Sequence, residues 1–171
     1  MHHANVFSRD SLDIGTRFLL QHLPKNEKAQ TIVDLGCGNG VVGMCLAEQH
    51  PQAELYFVDE SYMAVASAKQ NFLHAFIDRQ AEFCVVNGLT EFETESIDLI
   101  VCNPPFHQQN AVGNQIALSL FKQSKRVLKK GGELWVIGNR HLGYHINLKS
   151  DFGYCNEVAS NNKFVIWKVV K

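Results

Sequence analysis

This sequence predicts an α/β fold: a seven-stranded, mostly parallel sheet with helices on both faces and a C-terminal antiparallel hairpin. Three observations carry that expectation. Strand-like and helix-like segments alternate along nearly the whole chain. Three alternating glycines, Gly36, Gly38 and Gly40, separate the first strand from the helix after it. Two prolines, Pro104 and Pro105, cut off the fourth strand, because a strand cannot continue through two residues without N–H donors.

Taken in order, Leu12 to Leu23 reads as a helix ahead of the sheet, since Ile14, Phe18, Leu19 and Leu23 fall near helical spacing and Pro24 ends the segment. The short apolar run Thr31 to Leu35 is a buried strand, and Val41 to Gln49 is the helix after the glycine turn. Glu54 to Val58 is the second strand, Ser61 to Phe76 the second helix of this alternation, and Glu82 to Val86 the third strand. Ile97 to Cys102 is the fourth strand. Ala111 to Leu128 is a long helix stopped by Gly131-Gly132, and Glu133 to Ile137 is the fifth strand. A short helical piece around Leu142 to Lys149 leads to Tyr154 to Ala159 and Lys163 to Val170. The tight polar link Ser160-Asn161-Asn162 makes these last two strands a hairpin.

No repeat, low-complexity tract or linker interrupts the chain, so residues 1–171 are expected to form one domain. A 46% apolar and 19% charged composition is that of a globular protein and excludes disorder and collagen-like structure. No apolar run approaches the roughly 18 residues of a membrane span. Met1-His2-His3 opens no signal-peptide pattern, so a cytoplasmic protein with no membrane partner is expected. Five cysteines form no CxxC pair and read as buried thiols; eight histidines are scattered without a metal-ligand pattern, so no metal is expected. A formal net charge of −1 is too neutral to hold nucleic acid by bulk electrostatics, so any such grip is local or comes from elsewhere. The basic cluster Lys122, Lys125, Arg126, Lys129 and Lys130 reads first as a solvated helix end that complements the macrodipole.

Two segments carry chemistry. In Asp34-Leu35-Gly36-Cys37-Gly38-Asn39-Gly40 the glycines permit unusual backbone angles and let a ligand approach the main chain, while N–H groups at the following helix start favour a carboxylate or phosphate. Gly38, Gly40 and Gly43 also satisfy the GxGxxG spacing of dinucleotide sites, with Asp59 downstream to hold a ribose. Asp34 argues against that reading: a carboxylate there repels a pyrophosphate and attracts an ammonium.

The second segment is Asn103-Pro104-Pro105-Phe106. Placed at the end of a buried strand, it presents a primary-amide oxygen, a rigid carbonyl at Pro104 and the flat face of Phe106 to the crevice where open α/β sheets bind ligands. Such a set can grip a planar group that carries an NH₂. A plain Pro-Pro turn with a core Phe is the alternative.

DLGCGNG at 34–40, FVDES at 57–61 and NPPFH at 103–107 resemble the class I S-adenosylmethionine-dependent methyltransferases that modify exocyclic amines. FSRDSLDIGT at 7–16 resembles the opening of the catalytic domains of bacterial ribosomal RNA guanine-N2 methyltransferases. AVGNQIALSLF, GGELWVIGNRHLGY and the terminal NNKFVIWKVVK bring the likeness nearest to the large-subunit 23S group, with the small-subunit 16S group a near relative. The resemblance covers essentially the whole chain.

It implies a Rossmann-like fold, S-adenosylmethionine as methyl donor with S-adenosylhomocysteine as product, and 23S ribosomal RNA as partner. By position, the cofactor loop falls on Asp34, Gly36, Gly38 and Gly40, the ribose-binding acid on Asp59, and the adenine-flanking positions near Ser61, Met63, Asn87 and Gly88. Asp13, Gly15 and Thr16 close over the methionine end or, as a second reading, form a capped helix start. Many relatives have an acid where Asn87 stands, although its amide oxygen can still accept from the adenine amino group. Asn103, Pro104 and Phe106 are the expected catalytic residues, with Pro105, His107 and Arg140 on the substrate. Asp59 has a second reading as a helix cap beside Ser61. The family's full-length enzymes carry a first, degenerate copy of the domain that helps hold RNA. This chain begins where the second copy would, so it is expected to be a C-terminal catalytic half. Methyl transfer to adenine N6 or a glutamine side chain is the competing chemistry with the same cofactor, and a nucleotide-binding oxidoreductase the competing class.

Overall fold

Strands β1 (Thr31–Leu35), β2 (Glu54–Asp59), β3 (Glu82–Val85), β4 (Ile97–Cys102), β5 (Leu128–Asn139), β6 (Asn156–Ser160) and β7 (Phe164–Val170) form one sheet in a computed structural model, which describes residues 13–105 and 111–171. The order is β3-β2-β1-β4-β5-β7-β6. β3, β2, β1, β4 and β5 run parallel, and β7 pairs antiparallel with both β5 and β6. Strand order reverses between β1 and β4, and that switch opens a crevice at their carboxyl ends.

Helices α1 (Ile14–Leu20), α2 (Val41–Gln49) and α3 (Tyr62–Ala75) cover one face; α4 (Ala111–Val127) and α5 (Tyr144–Phe152) cover the other. Side chains alternate across each strand, so Ile32, Phe57, Leu99, Val101 and Ile137 pack on the first face and Val33, Leu35, Val58, Ile100 and Val136 on the second. The same alternation turns Asp34, two residues after Ile32, toward α2. The far end of α2 is tied down by Arg79, whose guanidinium donates to the carbonyls of Ala47, His50 and Ala53. This cation thus joins the last turn of α2 to the chain entering β2.

Several boundaries move for physical reasons. The expected helix over Leu12 to Leu23 spans Ile14–Leu20, because Asp13 caps its start and the N–H groups of Gln21 and His22 tighten onto Phe18 and Leu19. Gly131-Gly132 does not stop a helix. α4 ends at Val127 and β5 begins at once with fully buried Leu128, so the glycines lie inside a strand. They form an irregularity between the pairs Ile97–Leu128 and Leu99–Glu133, and Gly131 N–H and Gly132 C=O are bonded to the C-terminal residue Lys171. Gly143, at φ 62°, separates the short 3₁₀ turn Arg140–Leu142 from α5, which shifts that helix beyond its expected bounds. The sixth strand likewise begins at Asn156 rather than Tyr154.

The five cysteines are free, but only Cys37 and Cys102 are buried; Cys45, Cys84 and Cys155 are half-buried. Desolvation pushes all five thiols upward, Cys155 to about 11 and Cys45 to about 12, so they stay protonated at neutral pH. The basic cluster is partly spent inside the fold. Arg126 donates to the Leu89 carbonyl and the Thr94 hydroxyl, and Lys129 pairs with Asp98 at 3.5 Å. Among the described residues no helix is long and apolar enough to cross a membrane.

Candidate active site

Four strand ends and the start of α1 enclose the crevice. A cavity of about 330 Å³ is lined by Gly36 and Gly38 after β1, Asp59 to Ser61 after β2, Val86 to Gly88 after β3, and Asn103 to Pro105 after β4. A second cavity of about 270 Å³, lined by Thr16, Cys37, Asn39, Val41 and Val42, shares Asp13, Gly36, Gly38 and Asn103 with the first. The two cavities adjoin along these four residues, with the glycine turn in the shared wall.

Gly36 and Gly38 stand in that wall for different reasons. Gly36, at φ 77°, donates to the Val58 carbonyl at 2.8 Å, and a Cβ on it would run into the backbone carbonyl oxygen of Asn103. Gly38, at φ 53°, has nothing within 4 Å of where a Cβ would stand, so its backbone borders open space in the cleft. Its N–H donates to Asp59 Oδ2 at 3.0 Å, while Asp59 Oδ1 accepts the Ser61 N–H at 3.0 Å. Ser61, not Asp59, caps α3, through its hydroxyl oxygen and Ala64 N–H. Asp59 thus ties the end of β2 to the turn after β1 and borders the larger cavity.

Asp34 lies elsewhere. It is 1% exposed and absent from both cavity walls, and its Oδ2 accepts the Gly43 N–H of α2 at 2.8 Å. Burial pushes its carboxyl up to about 7; the Gly43 bond opposes that shift and the Asp59 charge adds to it. The structure thus places this carboxyl beneath the turn, holding α2 to β1. Met63 is exposed at the start of α3 and lines neither cavity. Arg140 also lines neither; its guanidinium donates to the Asn161 carbonyl in the β6–β7 turn at 2.7 Å. Asn87 and Gly88 do line the larger cavity, with Gly88 pressed against the Gln123 side chain.

Asn103 closes the junction of the two cavities. Its Nδ2 donates to Thr16 Oγ1 at 3.4 Å, and Thr16 Oγ1 donates to Asp13 Oδ2 at 2.7 Å. Among the described residues, Asn103 Oδ1 is the one buried side-chain nitrogen or oxygen without a hydrogen-bond partner. An unpaired buried acceptor costs about 1 to 3 kcal/mol, which a ligand N–H can recover. Pro104 is buried beside it and Pro105 is half-buried. Phe106 and His107 lie outside the described residues, as do the first residues of the 7–16 motif. The sequence reading did not find Glu60, Ile116 and Leu120, which complete the larger cavity. The apolar periodicity of α4 shows that Ile116 and Leu120 share a face, not that this face reaches past the sheet edge into a cleft.

Comparison with known proteins relates the chain to others by sequence and by fold. Residues 1–168 match the family model of the methyltransferase small domain. The chain is 53% identical over 171 residues to the ribosomal RNA large subunit methyltransferase G of Stutzerimonas stutzeri, covering 100% of this chain and 46% of that protein. It is 55% identical over 172 residues to the protein of the same name from Cronobacter sakazakii, covering 99% and 45%. The chain therefore spans about half the length of the curated relatives it matches. In fold it is similar to the T. thermophilus 16S rRNA N2 methyltransferase (RsmC) solved with AdoMet and guanosine, at TM-score 0.76 and 23% identity, over 96% of this chain and 45% of that one. With a family model matched over residues 1–168, the chain belongs to the methyltransferase small domain family.

Proposed function

We propose that this chain is the catalytic half of a cytoplasmic enzyme that methylates the exocyclic N2 amine of a guanine in ribosomal RNA, the 23S molecule, with S-adenosylmethionine as donor. One observation carries the reading: Asn103, which lines both cavities, has a buried Oδ1 without a partner that an amine N–H would satisfy. The full-length relatives' names, both large-subunit ribosomal RNA methyltransferases, support the choice of RNA.

The cleft fits the donor. Open space beside Gly38 leaves room for a ligand against the main chain, Asp59 offers carboxylate oxygens with spare lone pairs for ribose hydroxyls, and Asn87 and Gly88 border the adenine end. Thr16 and Gly36 border the methionine end, whereas Gly40 lines neither cavity and instead packs closely against Ala68 of α3. When bound, S-adenosylmethionine supplies an electrophilic methyl group on a sulfonium.

Everything else is done by the chain. Asn103 Oδ1 and the Pro104 carbonyl accept the two N–H bonds of the guanine amine, drawing it from planar toward tetrahedral geometry and aiming its lone pair. Pro105 holds the rigid turn, Phe106 stacks on the base and His107 contacts the substrate, whereas the Arg140 guanidinium is engaged by the Asn161 carbonyl outside both cavities. No general base is needed, because the amine proton becomes acidic only after nitrogen carries positive charge. The catalytic gain is orientation of two reactants, about 7 to 11 kcal/mol in favourable systems. A paired guanine must be flipped out to reach the site. RNA affinity beyond the cleft comes from outside this chain, in keeping with a formal net charge of −1.

The test is to incubate the chain with radiolabelled S-adenosylmethionine and ribosomal RNA lacking the modification, with the first half of a full-length relative added in one arm, and to analyse the nucleosides. N2-methylguanosine is the expected product. Label on adenine N6 or on a protein glutamine would move the acceptor; no label in either arm would overturn the reading.

A further inference from the structure

We propose that Thr16 and Asp13 are positioning residues that lock the Asn103 amide so that its oxygen, never its NH₂, meets the acceptor, which makes the site select groups that donate hydrogen bonds. The inference rests on the amine-gripping role of Asn103 proposed above.

A primary amide turned by half a rotation about its last bond keeps its shape but exchanges an acceptor for a donor. At a site built to hold an amine, that exchange is fatal. Something must therefore break the symmetry, and the hydrogen-bond directions around Asn103 show what does.

The Thr16 hydroxyl has a single hydrogen, and it is committed to Asp13 Oδ2 in a short bond of 2.7 Å. Toward Asn103 the hydroxyl oxygen can then only accept. Asn103 accordingly faces it with Nδ2, at 3.4 Å, and Oδ1 is left on the other side without a partner. With the amide reversed, its oxygen would face another oxygen that has no hydrogen to give. Catalytic contacts of this length tighten when a substrate is seated.

Asp13 cannot relax to release the hydroxyl. Its Oδ1 accepts the Thr16 N–H at 2.8 Å and caps α1, so both carboxylate oxygens are held by the same residue. A carboxylate has no hydrogen to donate, and polarity therefore runs one way from Asp13 through Thr16 to Asn103. Thr16 itself is 5% exposed, which keeps water from replacing its hydroxyl in the chain. The consequence is chemical selection: an amine is accepted, and a carbonyl or other acceptor-only group finds an oxygen facing it.

Three variants separate positioning from mere support. Thr16→Val keeps the shape and removes the hydroxyl; Thr16→Ser restores it. Asp13→Asn keeps a capping oxygen, but its NH₂ donates to Thr16 Oγ1, turns the Thr16 hydrogen toward Asn103 and reverses the polarity. Side-chain amide hydrogen exchange is read by NMR on the full chain, the Asn103 protons being assigned by their loss in Asn103→Ala. Exchange should be about tenfold faster in Thr16→Val and Asp13→Asn than in the wild type, and near wild type in Thr16→Ser. At saturating donor and RNA, kcat should fall about tenfold or more in the first two and recover in the serine variant.

Wild-type exchange rates in both Thr16→Val and Asp13→Asn would overturn the proposal, as would a serine variant as impaired as the valine one. Failure of the function itself looks different. In that case the wild-type chain transfers no methyl group in any arm, while amide exchange still decides whether the lock exists.

Discussion

Gly36 and Asn103 touch through their backbones: a Cβ on Gly36 would strike the Asn103 carbonyl oxygen, while the Asn103 N–H is held by the Leu35 carbonyl at 3.0 Å. This seam joins the turn after β1 to the Pro-Pro turn after β4. The proposed donor side and acceptor side of the cleft are thus fixed to one another by main chain, with no flexible side chain between them. Orientation is the effect the proposed reaction depends on most, and four consequences can be measured.

Gly36→Ala should break the seam. The φ of 77° alone costs roughly 1 to 2 kcal/mol with a Cβ present, and the collision with Asn103 adds to that. We expect a loss of at least about 2 kcal/mol in urea unfolding together with loss of methyl transfer. An alanine variant as stable as the wild type would show that the turn can open.

Asn103→Ala should abolish methyl transfer while leaving S-adenosylmethionine affinity within about tenfold, or roughly 1.4 kcal/mol. Calorimetric titration and a methyl-transfer assay on the same preparation decide this. Activity near the wild-type level would remove the amine grip from the mechanism.

Asp59→Ala should weaken the cofactor. It deletes the proposed ribose acceptor and frees the Gly38 and Ser61 N–H groups that the carboxylate holds at 3.0 Å. Hydrogen bonds to charged groups contribute about 1.5 to 3 kcal/mol, so affinity for S-adenosylhomocysteine should drop roughly 10- to 150-fold. An unchanged dissociation constant would deny Asp59 that role.

Asp34 makes a pH prediction. Its carboxyl titrates near 7 in the folded chain against an ordinary value of 3.8, so the folded state holds more protons between those values. The stabilisation linked to the raised value is fully present below the unfolded value and is lost as pH rises through about 7. The upper limit for the swing is on the order of 4 kcal/mol. Unfolding free energies measured from pH 4 to pH 8 should therefore decline less in Asp34→Asn than in the wild type; identical slopes would count against this burial-driven shift.

Much of the fold was readable because its determinants are local. Thr31–Leu35, Val41–Gln49 and Ile97–Cys102 stand where their apolar runs, the glycine turn and the two prolines put them. The C-terminal hairpin follows from a short polar link between two strand-like segments. Gly131-Gly132 misled because the partner of these glycines is Lys171, forty residues on, and nothing in a local pattern distinguishes a helix stop from a strand irregularity. Asp34 misled for a similar reason: a motif places a carboxylate next to a loop, whereas strand alternation decides that it faces α2.

By itself, the sequence determined the order of strands and helices, the two turns that must be sharp, and the residue types available at each, because backbone angles and apolar periodicity act over a few residues. Only the tertiary structure decided which groups meet. Thr16 and Asn103 are 87 positions apart, and their contact, the unpartnered oxygen it leaves and the cleft shared by four strand ends exist only once the sheet has assembled. Hydrogen-bond polarity is a property of such assembled neighbours, and a one-dimensional pattern does not contain it.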